Sequence, residues 1–192
     1  DHLKDEPALV VTDSQAFGQV AEIVPEKIML TSFSILFARF KGDLDIYLRG
    51  AMRMNELKPG SKILVAEACT HRRQDEDIGT VKIPNWMEER VCQDLIFDHV
   101  SGREYPDNLE EYDLVLHCGG CMLNRKEILN RIEEADSEGI PVINYGMAIA
   151  YLHGILDRAL APFPYIQRKW NEQDKHFKTI KQSKSKKLAT NN

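Results

Sequence analysis

A chain of 192 residues, 43% hydrophobic and 29% charged, has the length of one domain or two small ones and enough apolar side chains to bury a core, which excludes wholesale disorder. Its longest apolar stretch, Ile28 to Phe40, is interrupted by Thr31, Ser32, Ser34 and Arg39 and falls short of the about 20 residues a membrane span requires, so no membrane protein is expected. Residues 166–192 hold 8 Lys and Arg against 2 Asp and Glu, whereas the first 165 hold 17 against 28. An acidic body repels phosphate backbones, so nucleic acid is not an expected partner, and the basic end reads as a flexible, solvated tail.

The chain opens Asp1-His2-Leu3 without a Met or an apolar signal, as a piece of a longer cytoplasmic protein would. Short β-branched runs then alternate with helical patterns. Residues 8–12 and 27–31 read as strands, and 13–24, 33–41 and 43–57 as helices. After the turn signal Lys58-Pro59-Gly60 the rhythm resumes with a strand at 62–66, a helix near 86–91, and strands at 95–100 and 113–117. Asn124 and Glu127 form a capping box for a helix that carries Ile128, Leu129, Ile132 and Ala135 on one face and stops at Gly139. A strand at 141–144 and an apolar helix at 147–159, ended by Pro162 and Pro164, close the fold near residue 165. The fold class is α/β: two consecutive parallel-sheet, Rossmann-like units with helices packed on the sheets. The expected division is a first domain over 1–58, a second over 59–165 and the basic tail over 166–192.

The chemistry concentrates in Cys69-Thr70-His71 and in His117-Cys118-Gly119-Gly120-Cys121. A C-x-x-C turn brings two sulfurs to one centre, and a third Cys from a distant loop can complete a trigonal face. Cys69 and Cys118 each follow a strand, and in a parallel sheet those carboxyl ends share the edge where ligand crevices form. Gly119 and Gly120 keep side chains away from the thiolates, so backbone N–H groups can approach sulfur. A thioredoxin-like dithiol of Cys118 and Cys121, with Pro141 as its facing proline, is one alternative. Zinc held by Cys69, His71, Cys118 and Cys121 in an α/β interaction domain is the other. The full set of Cys and His favours metal over redox chemistry. Cys92 reads as a buried structural thiol and His153 as a core residue, while His99 says little. Asp75, Glu76 and Asp77 read as a solvated run, and Asn144-Tyr145-Gly146 as a turn able to line the crevice.

These motifs resemble those of the FeFe-hydrogenase maturation GTPase family, HydF. The likeness is carried by TSFSILFAR at 31–39, ILVAEACTH at 63–71, VKIP at 81–84, HCGGCMLNR at 117–125 and NYGMAIAYLHG at 144–154, and it runs from about residue 7 to 165. It implies that Cys69, Cys118 and Cys121 are thiolate ligands of a 4Fe-4S cluster. His71, His117 or Glu67 would then supply exchangeable contacts at the remaining iron. It also implies a scaffold that carries a two-iron precursor of the hydrogenase H-cluster as a transient guest. The expected partners are a second copy in a homodimer, the apo-hydrogenase and radical SAM maturation enzymes. No G-x-x-x-x-G-K-[ST] occurs in the sequence, so GTP would bind only in a preceding domain and this chain is expected to be a binding module, not an enzyme.

Overall fold

In the computed structural model, which describes residues 6–68, 77–102 and 105–189, helices alternate with parallel strands in two sheets. The smaller sheet pairs β1 (Leu9–Thr12) with β2 (Met29–Ser32), Leu9 lying opposite Met29. Between them runs α1 (Phe17–Ile23), and after β2 comes α2 (Phe33–Lys41). Ser32 ends the strand and starts the helix, because its hydroxyl accepts from the Ile35 amide and satisfies one of the open N–H groups of the first turn. Asp43 does the same for α3 (Leu44–Met54), accepting from the amides of Asp45 and Ile46.

The larger sheet has the order β4-β3-β5-β6, all parallel, from β3 (Lys62–Glu67), β4 (Ile96–Ser101), β5 (Leu114–His117) and β6 (Val142–Asn144). Ile63 through Ala66, Leu114 through Leu116, Val142 and Ile143 have no exposed surface. Unbroken apolar runs of this kind belong to strands covered on both faces. The covering helices are α4 (Ile83–Arg90), α5 (Arg125–Ser137) and α6 (Tyr145–Leu152), together with α3. The Asn124 and Glu127 capping box forms as the sequence predicts. A helix predicted at 86–91 starts earlier, at Ile83, because Pro84 fits the first turn, where its missing N–H costs nothing.

Two expectations are corrected at the carboxyl end. The helix expected over 147–159 is two helices, α6 and α7 (Leu156–Ala159), since Gly154 adopts φ +72° between them. The chain does not become a loose tail at 166: Pro164 opens the long helix α8 (Pro164–Ala189), and Ile166 and Trp170, one turn apart, are buried. Trp170 meets Tyr151 edge to face at 6.0 Å, so apolar docking outweighs the basic composition over the first turns.

The first unit is bound to the second by side chains that gather carbonyls. Arg158 donates to the carbonyls of Ala21, Val24, Pro25 and Ile28, and Thr31 donates to the Ala159 carbonyl at 2.9 Å. Asn144 Nδ2 reaches Ser34 O at 3.0 Å on α2. No helix among the described residues is long and apolar enough to cross a membrane.

Candidate metal centre

The register of the large sheet sets Ala66 opposite His117, and His117 opposite Asn144. Glu67, Cys118 and Tyr145 therefore leave the same carboxyl edge, where the sequence expects a ligand crevice. Cys118 continues the ladder by one bond, its amide donating to Ala66 O at 3.0 Å. Its sulfur turns back toward β3 and accepts from the Ala68 amide at 3.1 Å. The Gly120 amide, close by on the turn, also favours the thiolate form of the same sulfur. Gly120 adopts φ +58°, and a Cβ there would lie 2.5 Å from Ile128 Cδ1, so the turn favours glycine. Burial pushes the Cys118 thiol up; the two amides and Arg131 pull the other way without overcoming it.

His117 is fully buried, and both its ring nitrogens are engaged. Arg131 Nε donates to Nε2 at 3.0 Å, and Nδ1 lies 2.6 Å from Cys118 O. A guanidinium N–H can only donate, so Nδ1 is the nitrogen that carries the proton, and it gives it to the carbonyl. Burial, with the Arg131 charge beside it, lowers the His117 pKa to about 4. Its ring would have to give up a buried hydrogen bond to bind a metal. His117 braces the Cys118 peptide.

Glu67 is half-buried, and Tyr145 Oη stands 3.5 Å from its Oε1. Gly79 lets these two groups meet: a Cβ there would lie 2.1 Å from Tyr145 Oη and 2.9 Å from Glu67 Oε1. Burial, with the Glu67 carboxylate next, raises the Tyr145 phenol, so it stays a donor to Glu67. Asp77, expected to be solvated, caps the π-helical turn Ile78–Lys82 by accepting from the amides of Gly79 and Thr80. Cys121 is exposed, on the turn closed by the Leu123 amide to Gly120 O at 3.0 Å.

Cys69 and His71, like Asp75 and Glu76, lie outside the described residues. Ala68, the last described residue before Cys69, already touches the Cys118 sulfur. Among the described residues no three His, Cys, Asp or Glu side chains converge on one point. Cys92 packs against the core away from this edge and donates to Gln93 O. His153 packs edge to face on Trp86 at 5.1 Å, and His99 is exposed on the edge strand β4.

Comparison with protein families decides the kinship. The hydrogen maturase F dimerization domain matches residues 1–42, and the hydrogen maturase F tetramerization domain matches residues 45–162. The chain belongs to the hydrogen maturase F family. It is thereby tied to hydrogenase maturation. No curated protein sequence matches it. The border between the two family domains falls just before α3, the helix that packs across β6 of the large sheet: Gly50 approaches the Val142 carbonyl so closely that a Cβ would lie 2.1 Å from it. Sequence reasoning missed Arg131 and Lys41. Arg131 left one signal, a charge set among Ile128, Ile132 and Ala135 on the apolar face of α5.

Proposed function

We propose that this chain holds a 4Fe-4S cluster at the carboxyl edge of its large sheet, through the thiolates of Cys69, Cys118 and Cys121, and serves as carrier for the two-iron H-cluster precursor. The observation that supports this most is the Cys118 sulfur, which receives the Ala68 N–H at 3.1 Å and has its thiolate form favoured by the nearby Gly120 amide. Backbone donors aimed at sulfur offset the charge a thiolate keeps when bound to iron, and they tune such clusters. The donor set fits a soft, thiolate-rich group. When bound, the cluster would supply an iron to which the guest attaches. Glu67, steadied by Tyr145, and His71 are the exchangeable donors left to serve it, their bonds to iron being weaker than a thiolate's.

A thiol-disulfide exchange site is less well supported. Cys118 is half-buried, and desolvation raises its pKa, whereas an attacking cysteine needs an accessible thiolate. Pro141 precedes β6, at the opposite edge of the parallel sheet from the C-x-x-C turn, so it cannot face the two sulfurs.

Self-association is supported by the names of both matched domains. Phe33, Phe37 and Phe40 form an exposed stripe at i, i+4 and i+7 on α2, which a second copy would bury. Apo-hydrogenase as the recipient, radical SAM enzymes as the suppliers, a cytoplasmic setting and GTP chemistry in a further domain complete the proposal.

Anaerobic reconstitution should give a brown protein with about four irons per chain. Cys69→Ala, Cys118→Ala and Cys121→Ala should each lose the cluster, and Cys92→Ala should keep it. A colourless protein with one zinc would overturn the assignment.

A further inference from the structure

Lys41 is the last residue of α2, where a basic side chain commonly faces its own helix's final carbonyls. Here the ammonium turns away from the helix. Its Nζ donates to Gly120 O at 3.2 Å, Cys121 O at 3.1 Å and Leu123 O at 2.8 Å. An ammonium has three N–H donors, and all three are spent on one turn of the chain about 80 residues distant in sequence. Phe37 shields the charge from one side, its ring centroid 5.2 Å from Nζ. The grip is reciprocal, since Arg125, at the start of α5, donates to Phe40 O at 3.3 Å.

The gripped turn is the one that carries Cys121. Cys118 is fixed by the sheet, by His117 and by the Ala68 amide on its sulfur, but Cys121 is exposed, and among the described residues no side chain other than Lys41 donates to the 120–123 carbonyls. Lys41 lies within the segment matched by the dimerization domain and its acceptors within the tetramerization domain.

We propose that Lys41 is the positioning residue of the metal-binding turn, holding the Gly120–Leu123 backbone so that the Cys121 thiolate is preset for the cluster, and linking the dimerization unit to that ligand. The proposal rests on the cluster reading above. It makes the stability of iron binding depend on a residue that is not a ligand and lies in the other unit.

The test compares full-chain wild type, Lys41→Met and Lys41→Arg, the last keeping the charge and several donors. In metal-free protein, amide hydrogen exchange over 119–123 should be about fivefold or more faster in Lys41→Met, the factor that one lost hydrogen bond carries, with exchange in β3 unchanged. After anaerobic reconstitution, iron should pass to a chelator about tenfold faster from Lys41→Met, in line with the weight of groups that orient metal ligands. Its reduced electron paramagnetic resonance spectrum should also differ, and Lys41→Arg should recover most of both properties. Wild-type exchange rates over 119–123 in Lys41→Met overturn the proposal whatever the iron content. So do faster exchange with wild-type chelator kinetics and spectrum. A wild-type protein that takes up no iron overturns the cluster reading instead, and is told apart because the exchange experiment needs no metal.

Discussion

The two sheets solve the problem of covering a strand in opposite ways. In the four-stranded sheet the interior of β3 and the whole of β5 and β6 are sealed between helices, and the chain closes that core by itself. In the two-stranded sheet β1 is half-buried throughout, and the helix beside it exposes Phe33 and Phe40 by 56% and 71% of their surface. Two strands with two helices offer too little area to cover both faces. The large sheet is therefore built to hold a site still, and the small one to be completed by contact. The charges that join them sit on half-buried side chains bonded to backbone carbonyls, a bond type stronger than a neutral hydrogen bond and less screened than a surface ion pair.

The sharpest way to break the contrast is to cut equivalent apolar groups from each region. Leu116→Ala, in the fully buried β5, should cost about 2–5 kcal/mol of stability in a denaturant titration, the range for large core deletions. A comparable loss from Phe40→Ala would show that the small unit is closed as well.

Acid should act through the large sheet. The His117 pKa is lowered from 6.5 to about 4, so the unfolded chain takes up its proton first as pH falls. The contribution of neutral His117 should be complete above about pH 6.5 and fade as the pH drops toward 4. Measured on metal-free protein, the stability difference between wild type and His117→Gln should shrink over that window. A difference that stays constant from pH 7 to pH 4 would contradict the buried neutral imidazole.

The smallest effect on folding should accompany a clear effect on assembly. Phe33→Ser combined with Phe40→Ser should shift stability by no more than about 0.5 kcal/mol per site. It should weaken self-association about tenfold or more in sedimentation, since aromatic anchors dominate such interfaces. Unchanged association would move the contact surface elsewhere on the molecule.

Much of this organisation was legible in the residues. The short unbroken apolar runs mark β3, β5 and β6, and Asn124 with Glu127 fixes the start of α5, because caps and short apolar runs are local signals. The break at Gly154 was less visible: glycine inside an apolar run is tolerated in a helix as well as at its end. Pro164 was read as a stop, yet the same restricted φ suits the first turn of α8, and only the docking of Ile166 and Trp170 decides between the two. At the candidate site, the Cys and His spacing pointed to the carboxyl edge of the large sheet, where Cys118 lies. It could not say that His117 would face Arg131, or that Lys41 would find three carbonyls, because those partners are set by tertiary packing.

The clasp made by Arg158 also orders events in time. The Arg158 guanidinium closes on carbonyls 130 to 137 residues earlier in the chain, and Thr31 waits for a carbonyl 128 residues later. Contacts of such separation form late, after the costly closure of long loops. On a ribosome that adds residues from the amino end, β1, α1 and β2 must emerge and remain unclasped until α7 has been made. For that interval the nascent chain carries an open strand pair and exposed phenylalanines, the surfaces on which premature association begins.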